Sequence, residues 1–524
     1  MDMHRFLNNR HTDFVLIVIV LTLVFLEISV QWSYFLNPDG FAYLSLATKL
    51  LSYSGHNLLD AISGVWSYPF TVIVAILGKV IGTGISTAKD ANFLTGILVL
   101  YALHHLLIKL KIRRITSLII LVIAASRILW QALTMVSSDL LFDACVLFSI
   151  GILLNKDFLS NDYSVITYAT VSAAAFYSKQ YGLYVFLGFF TLYTLIYLML
   201  HKNQLVPTIK RFLIGILVFA ALISPWILLM KIKYGEWTTG YQGKYNLIYG
   251  LEYTVDYPLK NLGLQPPPNP SATFVWEDPT YLIPSNIAIK INYTKVLTNI
   301  GKNVLYYFNI LNSYFPFFYL VIPLAMYIAI KRKNKEKMRY LLIIVAILVL
   351  FPTGYLIVFL ESRFVFISYI LSLLVLAQLL SQLETSKSSV YLKVAVFVAT
   401  FFILFMPIKK YDAKNLDYPL YTFANNLKQF VPEFSEINKR FASNCNYFPS
   451  YDIAYYFSGR YYGVIAPNAS TEEVYNQLRE NRIDYYLYWL DEGCNKNVAT
   501  KKGALNFASA FYLIPVDRNI ISSK

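Results

Sequence analysis

The chain has 524 residues, of which 57% are hydrophobic and only 14% are charged, whereas a soluble globular protein carries about 25% charged residues. This composition excludes an intrinsically disordered chain, a collagen-like fibre and a nucleic-acid-binding arm. The net charge is +15, and basic residues collect in the cytoplasmic loops of membrane proteins. The composition therefore indicates a multi-pass membrane protein.

The first apolar run predicts a membrane anchor near the amino end. A helix needs roughly 20 mainly apolar residues to cross the hydrocarbon core, and Phe14 to Trp32 supplies them. Arg5 and Arg10 precede this run, which predicts a cytoplasmic amino end. No small-residue cleavage site follows a short apolar core, so the run is interpreted as an anchor and not as a removed signal peptide.

Further apolar runs predict membrane spans as far as residue 408. They cover residues 91–110, 115–133, 140–155, 164–178, 181–200, 212–230, 307–330, 341–360, 364–380 and 391–408. The basic loops between them, above all 331–339, are placed on the cytoplasmic side. This parity requires that Tyr68 to Ile85 does not cross, and its internal glycines favour a re-entrant or interfacial helix. The count is then about eleven spans, with twelve or thirteen as alternatives.

The same assignment divides the chain into two domains. Residues 1–411 form a helical transmembrane domain, from which the loops 33–68 and 231–305 extend on the outer side. Residues 412–524 are polar by comparison and are expected to form a small soluble α/β domain on that side. The predicted fold class is an α-helical polytopic membrane protein with this extracytoplasmic α/β domain.

Within the tail, short patterns predict alternating helices and strands. A helix is expected near 417–430, and the segment Ser450 to Phe457 leads into a short strand at Tyr461 to Ile465. Thr471-Glu-Glu is typical of a helix start, and Ile483 to Leu490 is rich in strand-forming aromatics.

The three cysteines divide between the membrane part and the tail. Cys145 lies inside a predicted span, where it is expected to be a small packing residue. Cys445 and Cys494 both lie in the outer tail. An exported compartment favours a disulfide between them, and two unrelated thiols are the alternative.

Ionisable side chains at the membrane edge are costly, so each of them needs an explanation. The topology places several of them, with one neighbouring amide, at the outer face. They are Asp39, Asp60, Arg127, Asp139, Asp143, Lys179, Gln180, Glu361 and Arg363. Acids and bases from separate parts of the chain thus meet on one side, which predicts a catalytic mouth at the membrane surface.

Simpler interpretations apply to each residue taken alone. Asp139 and Asp143 could cap a helix start, and for Asp143 this interpretation is favoured. Asp39 could be a turn residue between Pro and Gly, Lys179 could extend to a lipid headgroup, and Arg363 could pair with a neighbouring acid. The shared sidedness of the residues is what favours a site.

Five short motifs follow one another in a fixed order. They are Pro38-Asp-Gly-Phe-Ala-Tyr-Leu44, Trp66-Ser-Tyr-Pro69, Ser137-Ser-Asp-Leu-Leu-Phe142, Tyr177-Ser-Lys-Gln-Tyr-Gly182 and Glu361-Ser-Arg-Phe364. This order resembles the GT-C membrane glycosyltransferases, in particular the branch of the protein mannosyltransferases and the lipid A aminoarabinose transferases. The resemblance covers roughly residues 10–410. Trp276-Glu-Asp-Pro279 in the long outer loop is similar to uncharacterised bacterial members.

The resemblance implies transfer of a sugar from a polyprenyl-phosphate donor to a lipid, glycan or protein acceptor at the outer face of the cell membrane. The catalytic acid of the family maps onto Asp39. Many relatives carry an acidic pair there, so Asp60 and Asp139 are alternatives for a second carboxylate. The expected site consists of Asp39 and Asp139 as catalytic residues and of Asp60, Arg127, Lys179, Gln180, Glu361 and Arg363 as substrate-binding residues.

The residue types suit this chemistry. In an inverting transfer, one carboxylate takes a proton from the attacking hydroxyl, and cations stabilise the departing phosphate. No metal-ligand spacing occurs, since there is no Cys-x-x-Cys and the six His are scattered. A divalent metal is therefore left open without a ligand motif. The expected partners are the donor, the acceptor and membrane lipids, and no nucleic acid.

Three other functions compete with a glycosyltransferase. A transporter or flippase for lipid-linked sugars would favour charges in mid-span and internal repeats, whereas most charges lie at the outer edge. An oligosaccharide polymerase or ligase would use the same lipid carriers. A scaffold of the cell envelope would use the tail as a binding module.

Overall fold

In this computed structural model the chain forms a helical bundle that carries a small mixed sheet. The residues that it describes are 10–31, 34, 36–52, 58–251, 263–283, 292–314, 318–331, 333, 335–383, 421–426, 439–497, 505–507 and 511–516. The predicted span 391–408, the pair Lys409-Lys410 and the 411/412 domain boundary lie outside these residues.

The helices of the bundle follow one another with short connections. They are α1 (Arg10–Gln31), α2 (Pro38–Leu51), α3 (Tyr68–Ile81), α4 (Ile85–Lys109), α5 (Arg114–Thr134), α6 (Asp139–Leu153), α7 (Asp162–Ser178), α8 (Gly182–Leu200), α9 (Leu205–Tyr234), α10 (Gln242–Leu251), α11 (Tyr293–Tyr314), α12 (Phe318–Lys331), α13 (Lys335–Leu350), α14 (Thr353–Ile357) and α15 (Phe366–Leu383). Each span predicted before residue 384 falls on one or two of these helices.

Among the described residues, seven helices are long and apolar enough to cross a membrane, or eight if one bent pair counts as a span. The predicted helices α6 and α7 have only 15 and 17 residues. The bent pair is α11 and α12, which meet at 79° where the sequence predicts one continuous span over 307–330. The predicted count of eleven to thirteen spans remains a prediction, and the chain is a multi-pass membrane protein.

The packing of the bundle is graded from its surface to its centre. The span in α1 is only 17% buried, whereas that in α15 is completely buried among the other helices. Because Leu373 and Leu374 are inaccessible to solvent, the loss of either side chain would leave a cavity costing about 2–5 kcal/mol. The buried α15 therefore anchors the segment that precedes it, which carries Glu361 and Arg363.

Helix α3 has the short form predicted for the 68–85 segment. The Ser67 side chain accepts a hydrogen bond from the Phe70 amide at its start, and Gly82 ends it with a φ of 89°, a conformation that favours glycine. With 14 residues, the helix is shorter than the roughly 20 that cross a bilayer.

The tail folds into a five-stranded sheet in the order β2-β1-β3-β5-β4. Its strands are β1 (Arg440–Ser443), β2 (Arg460–Val464), β3 (Tyr485–Trp489), β4 (Leu505–Phe507) and β5 (Phe511–Pro515), and α16 (Tyr447–Tyr456) and α17 (Thr471–Glu480) connect the first three. Strand β1 is parallel to β2 and β3, and β5 is antiparallel to β3. The predicted strands near 461–465 and 483–490 thus correspond to β2 and β3.

The sheet packs on the outer loops of the bundle through aromatic side chains. Tyr451 of α16 lies 5.0 Å from the ring of Phe41 in α2 and stacks 3.8 Å from Phe274 of the long loop. The Tyr461 amide donates to the Thr273 carbonyl at 2.7 Å. The tail therefore closes over the ends of α2 and the long loop. A disulfide joins Cys445 to Cys494 in the same unit.

Candidate active site

A cavity of about 290 Å³ lies where the outer ends of several helices meet the tail. Its wall is formed by the start of α2, the turn before α6, Lys179, residues 359–364, α10, Trp276 and the start of α16. We call this space the site cavity.

Asp39 lies in the first turn of α2, with its side chain at the cavity wall. Pro38 occupies the first turn of that helix, where its missing N–H costs nothing. The side chain of Asn37 exchanges two hydrogen bonds with the backbone of Val136, at 2.8 and 3.1 Å. This pair fixes the start of α2 against the turn before α6, and so sets the position of Asp39 relative to Asp139.

Asp139 is the most fully paired acid of the cavity. The ammonium of Lys179 contacts its Oδ1 at 2.5 Å, and Ser137 Oγ donates to its Oδ2 at 2.8 Å. The side chains of Lys179 and Asp139 are 4% and 6% exposed. The lysine also lies 4.0 Å from the centre of the Phe364 ring, which favours the cation.

Arg363 joins the acids of the cavity. Its NH1 contacts Asp39 Oδ2, and its Nε lies 2.6 Å from Glu361 Oε2 and 3.9 Å from Asp139 Oδ2. Three carboxylates therefore share Arg363 and Lys179. The segment Glu361 to Phe364, predicted from its sequence to face this mouth, brings its charges there.

Trp276 holds the other oxygen of the Asp39 carboxylate. Its indole N–H donates to Asp39 Oδ1 at 3.1 Å. The carbonyl of Trp276 accepts from the indole of Trp66 at 3.0 Å, and the two rings meet edge to face. A wall of aromatic side chains from two separate outer loops thus orients Asp39.

Two acids that were not among the predicted site residues fix the loop that carries Trp276. Glu277 pairs with Lys49 of α2 and accepts from Ser45 Oγ at 2.5 Å. Asp278 contacts Lys233 at 2.8 Å and accepts from the Tyr234 hydroxyl at 2.7 Å. The motif Trp276-Glu-Asp-Pro279 was the one sequence signal that could have located this loop network.

Gln180 and Asp60 are placed differently from the charged residues of the cavity. Gln180 donates to the Gly64 carbonyl at 2.6 Å and accepts from the Gln242 amide at 2.9 Å, so it joins two outer loops. Asp60 lies in a short 3₁₀ helix and is absent from the cavity wall.

Arg127 and Asp143 also lie away from the wall of the site cavity. The guanidinium of Arg127 is 5.4 Å from the centre of the Tyr314 ring. Asp143 is buried one turn after Asp139, and its Oδ2 has no hydrogen-bond partner among the described residues. The structure thus brings together Asp39, Asp139, Lys179, Glu361 and Arg363, but not Asp60 or Arg127.

Several tyrosines supply neutral polar groups to the wall. Burial raises the pKa of Tyr43 and of Tyr245, so both phenols remain protonated at neutral pH. The Tyr43 hydroxyl donates to Ser138 Oγ at 3.1 Å. The hydroxyls of Tyr245 and of Tyr447, which comes from α16, have no hydrogen-bond partner among the described residues. Unpaired buried hydroxyls are costly and are therefore suited to a polar ligand.

Metal ligation finds a single grouping of three suitable side chains among the described residues, Cys445, Asp491 and Cys494. The disulfide already uses both thiols. In the site cavity, Asp39, Asp139 and Glu361 each contact a cationic side chain, so a bound metal ion would have to displace Arg363 or Lys179 from them.

The fold is similar to those of solved membrane transferases. ArnT from Cupriavidus metallidurans bound to undecaprenyl phosphate superimposes with a TM-score of 0.58 at 11% identity, over 95% of this chain and 97% of that one. Its apo state gives 0.55 at 10% identity, over 97% and 98%.

A second similar structure is the archaeal oligosaccharyltransferase AglB from Archaeoglobus fulgidus, in complex with an inhibitory peptide and a dolichol-phosphate. It gives a TM-score of 0.51 at 10% identity, over 91% of this chain and 69% of that one. No family model matches the sequence, and no curated protein matches it. The chain has the GT-C fold, which confirms the resemblance predicted from the motifs.

Proposed function

We propose that the protein is a glycosyltransferase that moves a sugar from a polyprenyl-phosphate donor to an acceptor at the outer face of the cell membrane. The observation that carries this proposal is the pair of Asp39 and Arg363 at one cavity wall, with Lys179 beside them. One carboxylate and two cations are what a transfer away from a phosphate needs.

Asp39 acts as the general base. It accepts a proton from the acceptor hydroxyl as that oxygen attacks the anomeric carbon, and the bond from this carbon to the phosphate oxygen breaks. The indole of Trp276 keeps one carboxylate oxygen in place, while the other faces Arg363. When a donor phosphate binds Arg363, it competes with Asp39 for the guanidinium and frees that oxygen for the acceptor.

Lys179 and Arg363 bind the phosphate and stabilise the charge that it gains as it leaves. Both cations approach the carboxylate of Asp139, at 2.5 and 3.9 Å, so a phosphate near that residue is within reach of both. Charge-assisted hydrogen bonds of this kind are about twice as strong as neutral ones. Asp139, whose two oxygens are already occupied, positions Lys179 and is not the base.

The solved neighbours support this choice of donor. ArnT was solved with undecaprenyl phosphate and AglB with a dolichol-phosphate, and both share the fold of this chain. The acceptor would enter beside Tyr245 and Tyr447, whose free hydroxyls offer hydrogen bonds to a sugar or to a hydroxylated acceptor.

A transfer assay tests the proposal directly. The purified protein in liposomes is given radiolabelled polyprenyl-phosphate sugars and a membrane extract as acceptor. We expect label to leave the polyprenyl lipid for a second molecule, with release of polyprenyl phosphate. Movement of intact donor across the bilayer without transfer would identify a flippase, and binding without either event would identify a scaffold.

Sidedness is tested by labelling single cysteines with a reagent that does not cross membranes. Lys335→Cys lies in the strongest basic segment and Glu492→Cys lies on the exposed surface of the tail. We expect labelling of the second alone in intact cells, with the parent protein, which retains the part-buried Cys145, as the control. Labelling of both at equal rates would contradict an outer site.

A further inference from the structure

A second, larger cavity lies at the opposite end of the bundle from the site cavity. Helix α8 connects the two, since it begins at Gly182 beside Lys179 and ends beside His201, about 28 Å away at 1.5 Å per residue. This second space has a volume of about 1100 Å³. We call it the basic cavity, after the side chains Lys156, His201, Lys333, Lys335 and Arg339 that line its rim.

The walls of the basic cavity are apolar. They consist of the last turns of α8, the end of α12 and the first half of α13, with side chains such as Ile196, Ala329, Ile343 and Ala346. Among the described residues that line it, there is no Asp or Glu. An apolar groove with a rim of one charge is complementary to a molecule with hydrocarbon chains and an anionic head.

Partners inside the protein do not neutralise this rim. Lys156 lies 3.5 Å from Glu336, which also faces Lys111 at 3.9 Å. Arg339 donates one hydrogen bond to the Leu154 carbonyl at 3.0 Å, but its buried Nε has no hydrogen-bond partner among the described residues. A buried guanidinium nitrogen without an acceptor is costly, and a phosphate oxygen would relieve that cost.

We infer that the basic cavity binds one anionic phospholipid of the cytoplasmic leaflet. Its phosphate lies among Lys156, Lys335 and Arg339, and its acyl chains lie along α8 and α13. Basic pockets between transmembrane helices on the cytoplasmic side bind such headgroups, and the basic 331–339 segment places this end there. The site is separate from the site cavity, and its occupant is a resident lipid that is not consumed in the proposed transfer.

The test compares lipid retention by two proteins that have lost equal charge. In the triple variant Lys156→Gln/Lys335→Gln/Arg339→Gln, the cations of the basic cavity are removed. In the control Lys111→Gln/Lys210→Gln/Lys331→Gln, three cations of the same end that do not line the cavity are removed. Each protein is placed in phosphatidylcholine nanodiscs with or without phosphatidylglycerol, and bound lipid is counted by native mass spectrometry.

We expect the wild type and the control to retain one phosphatidylglycerol, and the cavity variant to bind it about fivefold more weakly for each cation removed. Equal losses in the two variants would show that only the general surface charge attracts lipid. Equal retention of phosphatidylcholine would show that no anionic head is recognised. Either result overturns the proposal.

A steric pair of variants keeps the proposal testable if the charge variant does not fold. Ala346→Trp fills the apolar wall of the cavity, whereas Val349→Trp lies one turn away on the same helix with 67% of the native side chain exposed. We expect the first to lose the bound lipid and the second to keep it. Retention in Ala346→Trp would place the lipid elsewhere.

Discussion

The protein buries two networks of acids and bases side by side, and they differ in how completely their carboxylates are satisfied. In the loop network, the carboxylates of Glu277 and Asp278 each accept from a lysine and from at least two neutral groups. In the site cavity, each oxygen of Asp39 has one donor, Trp276 or Arg363. The side chains of Glu277 and Lys49 are 0% and 8% exposed, whereas Arg363 and Glu361 are 17% and 36% exposed.

This difference separates a structural ion pair from a reactive one. A carboxylate with all of its lone pairs occupied has no capacity left for a substrate proton, and its removal leaves a buried lysine uncompensated. A carboxylate with one donor on each oxygen and an open side can accept another. The loop network should therefore govern stability, and the cavity network should govern transfer.

The largest effect on transfer is expected from Asp39→Asn. The amide keeps the size of the side chain but cannot take the proton of the acceptor, so the rate should fall by about 10²–10⁴-fold. Donor binding and the melting temperature should stay close to those of the wild type. The measurement is initial rate at saturating donor, together with a thermal unfolding curve in detergent.

Asp143→Asn is the matched control for that substitution, since it changes a buried acid outside the cavity wall. If Asp39→Asn retained normal transfer while Asp139→Asn or Asp60→Asn were inactive, the base would have to be moved to that residue.

For the loop network, Asp278→Ala should act on stability first. It removes the acceptor of Lys233, Tyr234 and Ser63 at once, and breaking a buried pair on one side costs about 3–5 kcal/mol. The purified variant should unfold at a clearly lower temperature than the wild type.

The double variant Lys233→Met/Asp278→Leu sharpens the result, because it removes both charges and fills the space with apolar atoms. It should recover part of the lost stability. If Asp278→Ala instead unfolded normally and lost transfer alone, the division between the two networks would be wrong.

The sequence predicted the cavity network because sidedness alone brings its members together. Basic loops place the ends of α2, α6 and α7 and the 361–364 segment on one side, and the structure gathers Asp39, Asp139, Lys179 and Arg363 there. The predicted tail strands and the short α3 helix also followed from local patterns.

The loop network could not be predicted in the same way. Lys49 and Glu277 are 228 residues apart, and their contact depends on how an irregular loop folds back over α2. Such a loop has no hydrophobic period from which its path can be derived. Asp60 and Arg127 illustrate the opposite error, since the correct face of the membrane does not by itself place a side chain in a cavity.

The next largest effect concerns the phosphate. Lys179→Gln and Arg363→Gln should each weaken the binding of polyprenyl phosphate by about 10- to 100-fold, because a hydrogen bond to a charged group contributes about 1.5–3 kcal/mol. Turnover should also fall, since the same contacts strengthen as the phosphate leaves. Lipid binding measured with the phosphate product separates the two effects.

Lys244→Gln is a suitable control, since this lysine lies on the neighbouring α10 but does not line the cavity. Unchanged phosphate binding in both cavity variants would show that the phosphate is held elsewhere, and Arg363 would then only orient Asp39.

The smallest effect is expected from Trp276→Phe, which tests the link between the two networks. The phenyl ring keeps most of the packing against Trp66 and Tyr245 but loses the N–H that holds Asp39 Oδ1. Because one hydrogen bond to a charged group is lost, kcat should fall about tenfold, while KM for the donor stays unchanged. Trp237→Phe, at a side chain 69% exposed outside the cavity, is the control.

A positioning role for Trp276 has a further consequence that a purely structural role does not have. If the indole acts through Asp39, then Trp276→Phe should cause no additional loss of rate in a protein that already carries Asp39→Asn, because the two side chains form one functional unit. If instead the ring only supports the loop, the two losses should multiply. Independent effects in this double-mutant cycle would therefore assign Trp276 to the stability of the loop network and leave Arg363 as the residue that orients the base.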